Sequence, residues 1–475
     1  MSRRVSSRRV SSQSTKDSPT PTCGEKRGKK KYVDRLTLFL ERVTDENGKV
    51  IVEDINKAET KIARAMFRLL GYLFTTDPSV ATTFEFPYEL SEDDGSIEIV
   101  TTNEYNCRLF VKRTTHPNSC QAVSGSRAGL PAGHALYRLN DAMTGEERAL
   151  ARRECALFMD TDGFVSPAKL YLWFATGISR AVAKLIEWDA EKYCKAPDDN
   201  NEMDQADRHL HRDFADACVD AQFPVVTITF PLDESSATEH SETWSEVTDP
   251  PQRLTVNIIP TIRGQGWPTG TQLQHAFPRR PPYCWRGKAC LEQLQARFDD
   301  GETMCYLELH RTPAWKTRSL LPRIDMRLWT LSFLPAERLL WISLFDPELR
   351  STFDVDKVLN ILRMLRRAHA WEALTKHVIT TTILWTVKRH LPEMRTLGDC
   401  VIRVLDALRV VAQARFCACF LMPNVNIATG MRIDDSRRIS LDIKLVLEKL
   451  RENPAYILTY IGYTQEYERQ TTRDA

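Results

Sequence analysis

Glu104-Tyr105-Asn106 opens a stretch, residues 102–113, in which Leu109 and Val111 fall on one face and Arg108 and Phe110 on the other. That period of two is the signature of a strand. A Glu-x-Asp at the start of such a strand would aim two carboxylates at a metal, but here the second position is an amide. Two-metal nucleotidyl transfer needs carboxylates from neighbouring strands around divalent ions about 3.5–4 Å apart. The ions neutralise a triphosphate and activate the attacking hydroxyl, and hard cations prefer anionic oxygen. A third ligand must come from another strand, and Arg253–Pro260 offers Asn257 as its inward polar residue, an amide again. Glu104 therefore stands as the candidate metal ligand, with the amides Asn106 and Asn257 beside it.

Other stretches imitate chemistry and have simpler explanations. Asp354-Val355-Asp356 looks like a metal-binding pair, yet it opens an amphipathic helix, where Asp serves as cap and complements the dipole. Asp160-Thr161-Asp162-Gly163 resembles part of a calcium loop, but aligning Gly163 as its sixth position puts Phe158 and Lys169 where oxygen ligands belong. Arg263-Gly264-Gln265-Gly266-Trp267-Pro268 follows a strand without opening a helix and reads as a tight turn rather than a phosphate loop. His377 and His390 lack neighbours at metal-ligand spacing and read as satisfied structural histidines.

The elements that must position Glu104 come in two groups. Ile55, Ala58, Ile62, Met66 and Leu69 share one helical face, and residues 83–113 hold short strand-like runs. Residues 114–135 read as a loop. Ser166-Pro167 supplies an N-cap and first-turn proline to a helix whose apolar face is Leu170, Trp173, Phe174, Ile178, Val182 and Leu185. Strands follow at Val225–Phe230 and Arg253–Ile259. Past Met326 the periodicity is almost wholly helical, with stripes at Val358/Ile361/Leu362/Leu365 and from Leu397 to Val411, and a last helix capped by Ser440 that ends before Pro454.

Composition bounds the rest. At 475 residues, 42% apolar and 27% charged, the chain can bury the cores of two or three domains. Its net charge of +2 hides an asymmetry: residues 1–31 carry ten basic and two acidic residues, a balance of +8, which leaves the remainder at −6. An acidic body does not look like a general nucleic-acid binder. Residues 1–31 are expected to be a disordered basic tail that contacts nucleic acid or acidic lipid. Its repeat, Arg3-Arg4-Val5-Ser6 and Arg8-Arg9-Val10-Ser11, makes Ser6 and Ser11 candidates for a phosphorylation that would cancel much of the charge. Twelve scattered cysteines without a C-x-x-C pair, and no apolar leader or spanning segment, fit a cytoplasmic or nuclear chain with reduced thiols. The expected organisation is the tail, an α/β lobe over 32–325 with an acidic insert around 195–250, a helical lobe over 326–460, and a short tail, 461–475.

Several segments, in order and spacing across roughly 50–460, resemble the Mab-21 family, which includes cyclic GMP-AMP synthase. They are Phe164–Lys169 with Trp173-Phe174; Val256–Pro260 with Gly266-Trp267-Pro268; Leu328–Phe333 with Glu337; His377 to Trp385; and Cys419–Asn424. The resemblance implies an α+β, bilobed nucleotidyltransferase fold: a mixed α/β lobe with a central sheet, joined to a helical lobe of HhH/H2TH type. It implies that catalytic members carry Glu-x-Asp at Glu104 and Asn106 and a third carboxylate at Asn257, with Mg2+ and NTP as cofactor and substrate. It also places a phosphate-cradling Gly-Ser at Ser91-Glu92, nucleotide contacts at Thr375 and Lys376, and a motif lysine at Ile379. These departures point to a degenerate member that binds a nucleotide, RNA or a protein partner rather than turning over. The alternative it implies is a divergent synthase making a cyclic dinucleotide in innate immune signalling, with Glu98 or Asp94 replacing the lost ligands. The zinc-bearing thumb of the DNA-sensing synthase has no counterpart, since 350–367 contains no Cys.

Overall fold

The computed structural model describes residues 36–41, 60–87, 95–100, 104–112, 120–124, 132–140, 143–194, 217–222, 225–231, 253–264, 305–309, 327–344, 355–390 and 396–460, with a few single positions between them. Ser6, Ser11, Ser91-Glu92, Asp94 and most of the acidic insert lie outside these residues.

Two buried clusters define two lobes. The first is a nine-stranded sheet covered by helices. Its strands are β1 (Ile97–Ile99), β2 (Glu104–Phe110), β3 (Cys120–Ser124), β4 (His134–Leu139), β5 (Cys218–Gln222), β6 (Val225–Pro231), β7 (Arg253–Arg263), β8 (Tyr306–Glu308) and β9 (Leu328–Ser332). The main path runs β1-β2-β7-β8-β9-β4-β3, and β6 pairs with β7 on one side and β5 on the other. β2 and β7 are parallel, with Asn106 opposite Asn257. Alternation explains why one face of these strands is core: Tyr105, Cys107 and Leu109 of β2, Leu254, Val256 and Ile258 of β7, and Val226 and Ile228 of β6 are all buried in one cluster.

Against that face pack α1, which runs through 60–76, and α2 (Pro167–Cys194). The Ser166 hydroxyl accepts from Lys169 N at 3.3 Å, the expected cap, and Leu170, Phe174, Ile178, Val182 and Leu185 are buried as the periodicity predicts. Asp189 of α2 accepts both Arg68 guanidinium nitrogens of α1, at 2.6 and 3.2 Å, and Phe214 N at 2.9 Å, locking the two helices to the start of the β5–β6 hairpin. Trp329 is fully buried in this core and donates to the Val165 carbonyl at 3.0 Å.

The second lobe contains α4 (Val355–Ala368), α5 (Lys376–His390), α6 (Leu397–Ala414) and α7 (Ile433–Glu452). The stripes Val358/Ile361/Leu362/Leu365 and Cys400/Val401/Val404/Leu405/Leu408 form its core. Leu36 and Leu40 of a helical segment, 36–41, also lie in it, and Thr37 Oγ1 accepts from Gly398 N at 3.0 Å. The chain therefore enters the helical lobe before it builds the sheet. A further helix, α3 (Leu334–Leu344), follows β9 and buries Ala336 and Leu340 in the first core.

Three local expectations need correction. The stretch 114–135 contains β3, which pairs antiparallel with β4 from Cys120↔Leu139 to Ser124↔Ala135. Its residues carry little strand propensity of their own, so pairing decides the conformation. Leu328–Ser332 is a sheet strand rather than the start of a helical region, because it is clasped between β8 and β4. The last long helix begins at Ile433, not at Ser440; Asp434 and Asp435 in its first turn complement the dipole where no side-chain cap exists.

Candidate functional site

On the sheet face opposite the core, four register partners form one polar row: Thr227 of β6, Asn257 of β7, Asn106 of β2 and Glu98 of β1. Glu104 stands on the same face, two residues before Asn106. Every link in the row is a hydrogen bond with a defined direction. Thr227 Oγ1 donates to Asn257 Oδ1 at 2.9 Å. Asn257 Nδ2 donates to Asn106 Oδ1 at 3.2 Å and to Glu104 Oε1 at 3.0 Å. Asn106 Nδ2 donates to Glu98 Oε2 at 3.2 Å.

Arg108, two residues beyond Asn106, adds a built-in cation. Its Nη2 reaches Glu98 Oε2 at 2.5 Å and its Nε reaches Glu308 Oε1 of β8 at 2.6 Å, with Arg108 itself 3% exposed. Burial alone would lower the Arg108 pKa, but Glu308 and Glu98 together raise it. Burial likewise opposes ionisation of Glu98, and Arg108, assisted by His377 and Asn106, overrides it and holds the carboxyl at about 2. A second guanidinium, Arg366 of α4, crosses from the helical lobe and donates to the Val100 carbonyl at 2.7 Å. Burial pushes Arg366 down to about 10, against the opposing pull of Glu104 and Glu372.

The donor set does not fit a pair of divalent ions. Asn106 and Asn257 offer neutral oxygens that already accept hydrogen bonds, Glu104 is bonded to an amide, and Glu98 is ion-paired to Arg108. Among the described residues no group of three or more His, Cys, Asp or Glu side chains is arranged to hold a metal.

Beside Glu98 opens a cavity of about 440 Å³ between the lobes, lined by Glu337, Arg338 and Trp341 of α3 and by Asp356, Arg363, Lys376 and His377 of the helical lobe. Lys376 begins α5 and faces this space, whereas Thr375 spends its hydroxyl accepting from Val378 N at 3.3 Å, a cap rather than a cavity contact. His377 Nε2 meets Glu337 Oε2 at 2.9 Å. Burial would depress the imidazole pKa, but Glu337, with Glu98 and Glu308, raises it to about 9. The Cys419 thiol approaches Glu337 Oε1 at 3.8 Å, and Cys419–Met422 insert into the first lobe's core. Trp385 of α5 donates to the Ala418 carbonyl at 2.8 Å. The segments singled out around Glu337, His377 and Cys419 thus meet in one seam.

The other imitations of chemistry resolve as structure. Asp160 and Asp162 are each bonded by Arg327 at 2.5 Å, and Gly163, at φ +82°, makes the turn between them and β-bridged Phe164. Asp356 lies in the first turn of α4 and accepts from Trp341 Nε1 at 3.3 Å. His390 Nδ1 accepts from Arg403 at 3.3 Å. Arg108, Glu308, Thr227 and Arg366 escaped the sequence reading. Arg108 and Thr227 had a visible signal, since alternation places each on the face of its strand opposite the apolar residues.

A sheet lobe whose parallel strands carry Glu104, Asn106 and Asn257, joined through a polar seam to a helical lobe, is a nucleotidyltransferase fold. The Mab-21 protein nucleotidyltransferase domain matches residues 95–341, and the Mab-21 protein HhH/H2TH-like domain matches 354–444. The chain belongs to the Mab-21 family. No curated protein matches it. No helix among the described residues is long and apolar enough to cross a membrane.

Proposed function

We propose that this Mab-21 protein is non-catalytic and acts as a ligand-binding or scaffolding protein through its interlobe cavity. One observation carries the reading: Asn257 Nδ2 donates to both Glu104 and Asn106, so the row satisfies itself where catalysis would need anionic oxygens left open to ions. Ile379, at the place of the family's motif lysine, supports it, being buried in the helical core. The cavity is lined by Arg338, Arg363, Lys376 and His377 against the carboxylates Glu98, Glu337 and Asp356, a small cationic excess that supports an anionic ligand: a nucleotide, an RNA phosphate or an acidic stretch of protein. Incubation of the purified protein with all four NTPs, Mg2+ or Mn2+ and varied nucleic acids tests this. The expected result is no product. A cyclic dinucleotide or oligonucleotide that disappears in Glu104→Ala would overturn it.

The second reading, a divergent cyclic GMP-AMP synthase-like enzyme of innate immunity, rests on Glu98. That carboxylate lies in the row, bonded by Asn106, and would replace a lost ligand on this reading, although Arg108 holds it. Its mark would be turnover abolished by Glu98→Gln as well as by Glu104→Ala.

A further inference from the structure

The helical lobe has a second opening, about 940 Å³, that shares no lining residue with the interlobe cavity. Two helices wall it, each with a stripe at steps of three and four. From α5 come Thr382, Trp385, Thr386, Arg389 and His390; from α6, Ile402, Ala407, Val410, Val411 and Ala414. The α6 stripe continues back to Asp399. At about 1.5 Å per residue it is about 22 Å long, or roughly four helical turns.

The floor is apolar. Thr382 and Thr386 donate their hydroxyls to the Val378 and Thr382 carbonyls, at 2.7 and 2.8 Å, so their polar atoms are already engaged. Val410 is 50% exposed and Phe416 is 46% exposed, and the two line the same trough. Phe416 is held firmly. Arg415 ends α6 in the left-handed region at φ 49°, a cost for a non-glycine. Asn426 clamps both sides of Phe416, donating to the Arg415 carbonyl at 2.8 Å and accepting from Cys417 N at 2.9 Å. A strained cap and a side-chain clamp fix the backbone that carries this exposed phenyl ring, as the backbone of an anchor for a partner would be fixed.

We infer that this trough docks an amphipathic α-helix of a protein partner, with apolar residues at helical spacing against Val410, Val411 and Phe416 and acidic residues against the arginine rim. The argument for a helix is the length and the paired stripes, which match ridges-into-grooves packing. Ala407 and Ala414 allow close approach. The argument for acidity is the rim. Arg389, Arg403 and Arg451 line the trough against Asp399 and Asp406, and Asp406 is bonded by Arg409 at 3.0 Å. That small positive excess suits carboxylates and is too little for a phosphate backbone, which the two aspartates would repel.

The test uses the full chain and a displayed library of helical peptides, apolar at i, i+3, i+4 and i+7, with the remaining positions rich in either Glu or Lys. The Glu-rich half should be enriched. A synthetic winner should protect amides of 402–416 from hydrogen exchange. Val410→Glu should weaken it at least about tenfold, and Arg389→Glu should weaken it with loss of the Glu preference. Both sites face solvent, so thermal melting should match the parent. Phe416→Ser, in the clamped loop, gives an independent check. Enrichment of Lys-rich peptides, no enrichment, or binding indifferent to Val410→Glu overturns the inference. So does a single-stranded RNA that binds this face. So does a concentration-dependent dimer that Val410→Glu abolishes, which would make a second copy the occupant.

Discussion

Asn257 and Asn106 are register partners on parallel strands, and the Asn257 amide nitrogen donates to the Asn106 carbonyl oxygen at 3.2 Å. An amide both donates and accepts, whereas a carboxylate accepts only. Two amides side by side can therefore relay from Thr227 through to Glu98 with every bond satisfied. Two carboxylates in these places would face Glu98 and Glu104 with no donor between them.

Restoring the acids should accordingly destabilise the protein. Asn106→Asp with Asn257→Asp removes two donors from half-buried acceptors and adds like charge. The expected loss is about 1–3 kcal/mol in metal-free buffer. Urea denaturation in EDTA measures it, and added Mn2+ should return part of the loss by occupying the new carboxylates. A double variant as stable as the parent in EDTA would show that the row holds nothing.

Arg108 should be the most costly single residue of the site. Replacing it with Met leaves Glu98 and Glu308, with side chains 13% and 16% exposed, without their guanidinium partner. Breaking a buried pair this way costs about 3–5 kcal/mol. Changing all three together, with Glu98→Gln and Glu308→Gln, should recover most of it, because the penalty is the orphaned charge and not the missing bond. Denaturant midpoints of the single and triple variants decide the point.

The lobe architecture was legible because its signals are local or periodic. Ser166-Pro167 starts a helix by its own capping chemistry, and the stripes of α4 and α6 need no knowledge of their partners. Asn106 and Asn257 could be paired on paper because alternation puts each on the polar face of a strand. The ion pair of Arg108 with Glu308 joins residues 200 apart in sequence and has no local trace. The same is true of β3, which is a strand because β4 offers it a ladder, and of Leu36 and Leu40, whose place in the helical core depends on a return of the chain far downstream. Ser440 misled for the opposite reason: a good cap residue occurs inside a helix that acidic first-turn residues had already begun.

The seam between the lobes should respond to alkaline pH. His377 has its pKa raised to about 9 from an ordinary 6.5. A raised folded-state value means that the protonated imidazole stabilises the fold fully below pH 6.5. That contribution then disappears as pH rises through 9. Parent protein should lose urea resistance across this window, and His377→Gln should be less stable at the low end and nearly flat. Glu98 acts at the other extreme. Its value is lowered from 4.5 to about 2, so its contribution is present above 4.5 and is lost as pH falls through 2.

Gly264 should tolerate no side chain. It follows directly on β7, opposite the residue that leads into β8, donating its N–H to the Cys305 carbonyl at 2.9 Å, and a Cβ there would stand 2.5 Å from Cys305 Sγ. Gly264→Ala must push the two strands apart, an overpacking cost of about 1–3 kcal/mol. Cys305 reports the movement directly. Burial pushes its thiol up to about 12, so in the parent it should resist alkylation at neutral pH while exposed Cys218 reacts. In Gly264→Ala, native-state alkylation read by peptide mass spectrometry should appear at Cys305. Adding Cys305→Ala should restore part of the lost stability by removing the sulfur that the new methyl meets. Unchanged stability and an unreactive Cys305 in Gly264→Ala would show that β7 and β8 do not approach as closely as the Gly264–Cys305 bond requires.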